Sequence, residues 1–419
     1  MTDLFPVDTV LDRILSQIAV LTPDDVLTEQ ALDRFLAADI TAAVSIPPFA
    51  NSSMDGYAVR TADLAAAGPD SPVSLPVVMD IPAGSMPARV VAAGQAARIM
   101  TGAQLPEGAD AVVPVEQTDD AWAAGGDAAL PDRVQIFRGV KPGDFVRPAG
   151  EDIQAGQVVL RAGMRLRPQD IGVLVSLGQG RVRVGRRPRV AILSTGDELI
   201  DVDEPLVPGT IRNSNSYMLA GLVATHGGVP VRLPVARDTL NDVRRRFQDA
   251  LAHEPDVIIS SAGVSVGTHD VVRTVVDELG RVDVWRVNLR PGKPLAFGQV
   301  QGVPFFGLPG NPVSAMMTFE IFARPALLKL ASGDPRAVAM TTAVVDETLH
   351  SDGRRSYLRV TLHEKGGQLV ARTTGTQSSG ALLSMVLADG LLIIPEGVTE
   401  VVAGSRLKVW LLRDLSRLS

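Results

Sequence analysis

The feature that most restricts the fold of this chain is an alternation of apolar strand-like runs with amphipathic helical stretches between residues 187 and 331. The runs are RVAILS, VPVRLPVA, DVIISSAG and PFFGLPG, and each precedes a segment with apolar residues at helical spacing. This alternation is typical of a parallel sheet with helices on both faces. Thr239 suits the cap of one helix, and Pro312 suits the first turn of another. We therefore predict a doubly wound α/β domain at 187–331.

The segments on either side of this domain follow other patterns. Near the N-terminus, VDTVLDRILSQIA and TEQALDRFLAADI both place apolar residues at three- and four-residue steps, which predicts two helices. From there to about residue 186, short β-like pieces alternate with Gly/Pro turns, which predicts β-rich modules without helices. β-like segments return after residue 331.

These patterns predict four modules, so the expected fold class is multidomain α/β plus β. The modules are an elongated helical and β N-terminal module (1–50 with 148–186), a small β-rich domain (51–147), the doubly wound parallel-sheet domain (187–331) and a C-terminal β-barrel-like domain (332–419).

Composition excludes several classes of function. The 419 residues carry a formal net charge of −7, and an acidic chain is a poor general partner for nucleic acid or an anionic membrane. The absence of cysteine removes disulfides, thiolate nucleophiles and cysteine-based metal sites. The acidic N-terminus does not resemble a signal peptide, and no apolar run approaches the roughly 20 residues of a membrane span. We expect a cytoplasmic enzyme or binding protein.

Small and hydroxylic residues follow three of the predicted strands. The sequence at these points is STGDE from Ser194, SSAGVSVGTHD from Ser260, and GNP from Gly310. Ligands of open parallel sheets bind beyond the carboxyl ends of the strands, and glycines, hydroxyls and helix N-terminal amides suit a phosphate group. Each loop taken singly is better explained as an ordinary tight strand-to-helix turn, which any α/β domain needs. Neither a Walker A pattern nor a GxGxxG fingerprint is present.

Charged residues complete this pattern. Glu198, Asp238 and Asp270 each follow a predicted strand end, and carboxylates beside phosphate require a cation, which is commonly Mg²⁺. Singly, each acid is better explained as a helix cap or a turn residue, and only the three acids together at one sheet edge favour a metal–phosphate site. Arg290 and Lys293 flank a Pro-Gly turn that could direct two cations at an oxyanion. An ordinary solvated surface turn explains the same residues equally well.

Eight stretches in collinear order, from about residue 45 to 330, resemble one family. They are PPFANSSMDGYAVR, RIMTGAQLPEGADAVVPVEQ, RPAGEDI, ILSTGDEL, NSNSYML, SSAGVSVGTHD, RPGKPLAFG and GLPGNPVSA. This set is similar to the molybdopterin molybdenumtransferases, the MoeA and gephyrin E-domain family. The resemblance implies a molybdopterin-binding type of doubly wound domain. It also implies a transferase that inserts molybdate into adenylylated molybdopterin, with Mg²⁺-dependent release of AMP, to give the molybdenum cofactor. A homodimer with a shared active site is expected, in which Asp55 and Thr101 come from the other chain.

The resemblance and the strand-end pattern together give the predicted site. The predicted catalytic residues are Asp55, Asp152, Glu198, Asp238, Asp270 and Lys293. The predicted Mg²⁺ ligands are Asp238, Asp270 and Glu198. The predicted substrate-binding residues are Thr101, Arg147, Ser194, Thr195, Ser261, Gly263, Ser265, Arg290, Pro309, Asn311, Pro312, Arg359 and Ser378.

The chain departs from the family pattern at three positions. Arg290 stands where lysine is usual, Ala262 replaces a glycine, and His269 precedes the aspartate where a small or acidic residue is usual. Two alternative functions follow from the same resemblance: a non-catalytic scaffold of the gephyrin type, and a molybdopterin adenylyltransferase, which shares the doubly wound module. The complete set of acids disfavours the first, and the flanking β-rich modules with the MDGYA motif disfavour the second.

Overall fold

The computed structural model describes residues 4–120, 129–261 and 271–413. The chain separates into two compact units. The large unit contains the chain up to Ala38, Ala162–Arg167 and everything from Arg181 onward, and the small unit contains Asp39–Arg161 and Pro168–Gly180. The finer division into four modules stays a prediction. No helix among the described residues is both long enough and apolar enough to cross a bilayer.

Helices and strands follow one another along the chain in three parts. The first part contains α1 (Val7–Ser16), β1 (Asp24–Leu27), β2 (Ile40–Thr41), β3 (Asn51–Ser52), β4 (Gly56–Val59), β5 (Val73–Ile81), β6 (Ala96–Ile99), β7 (Ala111–Pro114), β8 (Arg133–Ile136), β9 (Val146–Arg147), β10 (Val158–Leu160), α2 (Pro168–Ser176) and β11 (Arg181–Val184). The middle part contains β12 (Arg189–Ser194), β13 (Leu199–Ile200), β14 (Ile211–Arg212), α3 (Ser214–Thr225), β15 (Val229–Arg232), α4 (Leu240–Ala252), β16 (Val257–Ser261), α5 (Val271–Leu279), β17 (Gly280–Arg286), β18 (Leu289–Arg290), β19 (Pro294–Val300), β20 (Val303–Leu308), α6 (Pro312–Thr318), a π-helical turn (Phe319–Ala323) and α7 (Arg324–Leu330). The last part contains β21 (Met340–Val345), β22 (Leu349–His350), β23 (Arg355–Lys365), β24 (Gln368–Thr373), α8 (Leu383–Leu387), β25 (Gly390–Ile394), β26 (Glu400–Val401) and β27 (Arg406–Leu411).

The doubly wound sheet of the large unit has the order β15-β12-β16-β20-β19-β17. Its first four strands are parallel, as the strand–helix alternation predicts. Along β12, Val190 and Ile192 pack on the face covered by α3, α6 and α7, whereas Ala191 and Leu193 pack on the face covered by α4 and α5. Helices therefore cover both faces, and the predicted fold class is confirmed.

Two edge strands of this sheet were not predicted. β19 pairs antiparallel with β20, and β17 pairs antiparallel with β19, so the sheet is mixed rather than purely parallel. The sequence between α5 and β20 contains no helical segment, so the chain returns through a hairpin and cannot make a parallel crossover.

The C-terminal strands of the large unit close on themselves. β23 pairs with β24, β24 with β21, β21 with β27, β27 with β25, and β25 again with β23. This ring is the β-barrel-like structure expected after residue 331. β18 adds to it by pairing with β23 at Arg355 and Ser356.

Helix prediction before residue 187 was correct in one place and wrong in two. α1 forms as predicted, but TEQALDRFLAADI contains only a 3-10 turn at Thr28–Gln30. Asp33 has a positive φ of 62°, and Phe35 and Leu36 form isolated bridges with Arg165 and Val184, so tertiary pairing overrides the helical spacing. The segment expected to lack helices contains α2, which begins at Pro168.

Candidate functional site

Two buried hydroxyls mark the carboxyl ends of the central strands. Ser194 ends β12 and Ser261 ends β16, and the parallel register places the two residues side by side. Their Oγ atoms lie 3.0 Å apart within hydrogen-bond distance, and both residues are at most 2% exposed. Thr195 continues from β12, is also buried and bridges to Ala236. The predicted strand-end hydroxyls are therefore fixed before any ligand arrives.

Gly196 allows the chain to turn directly after these hydroxyls. Its φ is +151°, and a β-carbon at this position would lie 2.7 Å from Oε2 of Glu198. A side chain at residue 196 would therefore be strained and would displace the carboxylate. Glu198 itself is exposed and lines the cleft described next.

A cleft of about 610 Å³ lies at this edge of the sheet. Its lining residues are Thr195, Glu198, Leu199, Ile211, Arg212, Asn213, Ser214, Asn215, Ser261, Gly310, Asn311, Pro312 and Gly380. The N-termini of α3 and α6 meet in the cleft, because Asn215 Nδ2 donates a 2.7 Å hydrogen bond to the carbonyl oxygen of Gly310. Asn213 caps α3 by accepting from the Ser216 amide, and Pro312 begins α6 as predicted. Pro309, the other predicted proline, is buried just before this turn.

The predicted metal ligands are only partly within the described residues. Glu198 lines the cleft, and Asp238 is exposed just beyond the buried Ala236, with its backbone N–H 3.2 Å from Oδ1 of Asp197. Asp270, Gly263 and Ser265, like Ala262 and His269, lie outside the described residues. Among the residues that the structure describes, no group of three or more histidine, aspartate or glutamate side chains is placed to hold a metal ion. The three-carboxylate set thus stays a prediction.

A group of cations lies near α6 in the same unit. Arg290 and Lys293 occupy the turn between β18 and β19, and the carbonyl oxygen of Lys293 accepts a 2.7 Å hydrogen bond from the Val287 amide. Gly292 has a φ of +112°, and a β-carbon there would lie 2.6 Å from Oγ1 of Thr318 in α6. This close approach requires glycine and holds the turn against the helix.

Arg359 is the most deeply buried of the predicted cationic residues, with an exposed fraction of 1%. Its Nε donates to Ser384 Oγ at 3.1 Å, and its Nη2 donates to the carbonyl oxygen of Ser378 at 3.1 Å. Burial, and then the charge of Arg290, lower the pKa of Arg359 to about 10. The guanidinium is therefore still protonated at neutral pH. Since its hydrogen-bond acceptors among the described residues are neutral, namely Ser384 Oγ and the carbonyl oxygens of Thr376 and Ser378, its charge is available to attract an anion.

The loop held by Arg359 reaches the cleft. The carbonyl oxygen of Ser379 accepts a 3.0 Å hydrogen bond from the Val313 amide in α6, and Gly380 lines the cleft. Ser378 is exposed in the same loop, and its Oγ accepts from the Gly380 amide at 3.4 Å. A cationic region and a cleft with two helix N-termini are therefore adjacent in the large unit.

The small unit carries the remaining predicted residues. Asp55 Oδ1 accepts hydrogen bonds from the amide of Thr101 at 2.6 Å and from its hydroxyl at 2.7 Å. Arg147 lies in β9 opposite Asn51 of β3, the strand that precedes Asp55. Asp152 is exposed, and its amide donates to the carbonyl oxygen of Ile46 at 3.1 Å. Asp55 and Thr101 are thus brought together.

Several cleft residues were missed as individual predictions. Asn213, Ser214 and Asn215 line the cleft, although the stretch NSNSYML was noted only as part of the family resemblance. The signal was present, since Asn before an apolar segment without Gly or Pro in its first turns is a strong N-cap indicator, and this helix follows the loop at the ligand edge of the sheet. Gly380 gave no comparable signal.

Comparison with known families covers nearly the whole chain. The MoeA N-terminal region (domain I and II) matches residues 5–178, a probable molybdopterin binding domain matches residues 191–329, and the MoeA C-terminal region (domain IV) matches residues 342–412.

Individual relatives agree with these matches. The chain is 40% identical over 396 residues to molybdopterin molybdenumtransferase 2 of Mycobacterium tuberculosis, covering 93% of this chain and 95% of that protein. It is 33% identical over 411 residues to the molybdopterin molybdenumtransferase of Bacillus subtilis, covering 98% of this chain and 94% of that protein. The crystal structure of a molybdopterin biosynthesis MoeA protein from Pyrococcus horikoshii superposes with a TM-score of 0.80 at 30% identity, covering 98% of this chain and all of that one.

Proposed function

The chain belongs to the MoeA family of molybdopterin molybdenumtransferases, and we propose on this basis that it inserts molybdenum, supplied as molybdate, into molybdopterin. The protein is then a transferase of molybdenum cofactor biosynthesis. One observation supports this function most directly: the large unit combines a cleft with two helix N-termini and an adjacent group of cations that includes the buried Arg359. The first suits a phosphate-bearing pterin, and the second suits a tetrahedral oxyanion.

We propose that the substrate is adenylylated and that its diphosphate binds at the strand ends. Ser261 and Thr195 line the cleft there, and Ser194 holds the Ser261 hydroxyl in place. The amides at the start of α3 and α6 offer further donors to phosphate oxygens. These groups orient the diphosphate, but the exposed carboxylate of Glu198 in the same cleft would repel it, and a bound divalent cation would relieve that repulsion.

Mg²⁺ fits the chemistry of the donors at this edge. Glu198 and Asp238 supply carboxylate oxygens, which Mg²⁺ prefers, and Asp270 is the third proposed ligand. When bound, the ion would polarise a phosphoryl oxygen and balance the charge of the diphosphate. The chain's own contribution is to hold the carboxylates: Gly196 leaves room for Glu198, and Asp197 accepts from the Asp238 amide.

We propose that molybdate binds at the cationic group. Arg290, Lys293 and Arg359 provide positive charge, and Ser378 provides a hydroxyl in the loop that Arg359 holds. Arg290 lies 3.9 Å from Asp352 Oδ2, a distance that leaves its guanidinium free to make closer contacts with an oxyanion. The substitution of lysine by arginine at this position therefore preserves the charge the site requires.

A cytoplasmic homodimer completes the proposal. In it, the partner subunit's Asp55 and the partner subunit's Thr101 face the cleft, together with the region around Arg147 and Asp152. The exposure of all four residues supports this role, because exposed polar side chains are available to a second chain.

The test is AMP release from adenylylated molybdopterin, measured with and without molybdate and Mg²⁺. We expect release only when both ions are present. Asp270→Asn should abolish it while the chain remains folded, and Asp277→Asn, an exposed residue of α5, is the matched control. Undiminished release by Asp270→Asn removes that residue from the metal site. ATP consumption without a molybdate requirement would indicate an adenylyltransferase, and absence of all turnover would indicate a scaffold.

A further inference from the structure

One wall of the cleft is a separate short ribbon, formed by residues 198–212. β13 and β14 pair in parallel within it, and the Ile211 amide donates a 2.8 Å hydrogen bond to the carbonyl oxygen of Glu198. Glu198, Leu199, Ile211 and Arg212 line the cleft. The ribbon thus carries a proposed metal ligand and presents it to the ligand space.

The ribbon has little support on its other side. A second cavity of about 660 Å³ lies there, lined by residues that include Gly196, Asp197, Leu199 and Glu204. Leu199 lines both this cavity and the cleft. A segment between two cavities has few packed neighbours to fix its position, so its position depends on contacts at its ends.

Asp201, which directly follows β13 in the ribbon, is bonded to α3. Tyr217 donates its hydroxyl to Asp201 Oδ1 at 2.6 Å, and the Val202 amide donates to the same oxygen at 2.7 Å. Arg232 Nη2 lies 3.5 Å from Asp201 Oδ2. Within the ribbon, Arg212 Nη1 donates to the carbonyl oxygen of Asp201 at 2.6 Å.

The other two partners belong to α3 and to the strand β15 that follows it. Tyr217 lies one turn after Ser214, the first residue of α3, and Arg232 ends the neighbouring strand β15. The Arg232 guanidinium carbon lies 3.3 Å from the centre of the Tyr217 ring, and Arg232 Nε donates to Ser216 Oγ at 3.4 Å. Three side chains distant in sequence therefore connect the ribbon to the helix whose N-terminus faces it.

We propose that Asp201, Tyr217 and Arg232, hereafter the latch, are positioning residues that set the distance between the ribbon and α3 and thereby the affinity for substrate. This inference rests on the proposed function. The latch touches neither the reacting atoms nor the cleft itself, since none of its three residues lines it. It acts through Glu198 and Arg212, which do.

The exposure of the latch separates this role from a structural one. Tyr217 is 40% exposed, and exposed ion pairs and hydrogen bonds contribute little to global stability. The hydrogen bond from Tyr217 lowers the pKa of Asp201, so the carboxylate stays ionised at neutral pH. Loss of the latch should therefore loosen the ribbon locally while the large unit stays folded.

The experiment compares the full-length wild-type protein with Tyr217→Phe, which removes only the hydroxyl, and with Asp201→Asn. Two quantities are measured: hydrogen exchange of the amides at 199–213, and KM and kcat for AMP release. We expect exchange about 10-fold faster, a KM about 5-fold higher and kcat within about 2-fold of wild type, because local opening weakens binding and leaves the chemical step unchanged. The melting temperature should change by about 2 °C or less.

Asp203→Asn is the matched control. Asp203 lies in the same exposed loop and takes no part in the latch, and its substitution removes one negative charge, as Asp201→Asn does. The exchange rates and the KM of this variant should therefore equal those of wild type. Arg232→Lys provides a second latch variant, which retains the charge and loses the stacking on Tyr217, and it too should show faster exchange and a higher KM.

Unchanged exchange or unchanged KM in Tyr217→Phe overturns the proposal. If the wild type releases no AMP, the proposed function fails, whereas the exchange measurement still shows whether the latch holds the ribbon.

Discussion

In the large unit Ser194, Ser261 and Arg359 are almost completely buried, whereas in the small unit Asp55, Thr101 and Arg147 are exposed. The buried group is fixed by the fold, because strand register aligns the two serines and hydrogen bonds orient the arginine. In the exposed group, Asp55 and Thr101 are held by a local contact with each other, and Arg147 lies in a two-residue strand. The first group is therefore preorganised by its own chain, while the second acquires a desolvated environment only when another surface covers it.

Substitution of Arg359 should give the largest effect. Arg359→Ala removes a cation from the proposed oxyanion site and frees the loop around Ser378, so molybdate-dependent AMP release should fall about 100-fold or more. The cavity and the lost hydrogen bonds of the guanidinium to Ser384 Oγ and to the carbonyl oxygen of Ser378 should also lower the free energy of unfolding by about 2–4 kcal/mol. Kinetics and denaturant unfolding measure the two effects.

Arg372→Ala is the control for that variant, since Arg372 is an exposed residue of the same barrel that pairs with Asp346 at 3.3 Å. It should change neither quantity appreciably. Normal turnover by Arg359→Ala would show that burial does not mark a preorganised site.

Asp55→Ala should separate activity from stability. Water can satisfy the amide and hydroxyl of Thr101 once the carboxylate is lost, so the free energy of unfolding should change by about 1 kcal/mol or less. AMP release should still fall about 10- to 100-fold, because the proposed site loses a polar group at the reacting centre. Asp70→Ala, another exposed aspartate of the small unit, should leave both unchanged. A loss of stability as large as that of Arg359→Ala would contradict the distinction between a buried, preorganised group in the large unit and an exposed group in the small unit.

The smallest expected effect is that of Ser194→Ala. The change leaves the buried Ser261 hydroxyl without its 3.0 Å partner, which should cost about 1–2 kcal/mol of unfolding free energy. The KM for substrate should rise a few-fold, because Ser261 is then less well oriented. Ser176→Ala, at an exposed helix end, should change neither. An unchanged KM would mean that Ser194 serves stability alone.

The local parts of the fold could be predicted from the sequence. Thr239 caps α4 by accepting from the Asp242 amide, and Pro312 begins α6, because caps and first turns depend on neighbouring residues. The helix expected around Phe35 does not form, since bridge partners at 165 and 184 compete with helical hydrogen bonds. The local spacing of apolar residues contains no information about such distant partners.

The same limit applies to the site. Strand-end residues such as Ser194 and Ser261 were predictable, because parallel strands end at one edge of a sheet. The latch was not, since Asp201, Tyr217 and Arg232 meet only through the fold of the ribbon onto α3. Residues 262–270, which hold the third proposed Mg²⁺ ligand, lie outside the described residues, so that ligand remains a prediction.

The central claim is that the exposed and the buried groups serve one reaction in a site shared by two chains. Heterodimers purified after coexpression of differently tagged Asp55→Ala and Arg359→Ala chains test it directly. Each variant homodimer should be nearly inactive, and the heterodimer should recover about half of the wild-type rate, because one of its two symmetry-related sites carries both native residues. Heterodimers as inactive as the two homodimers would contradict the account.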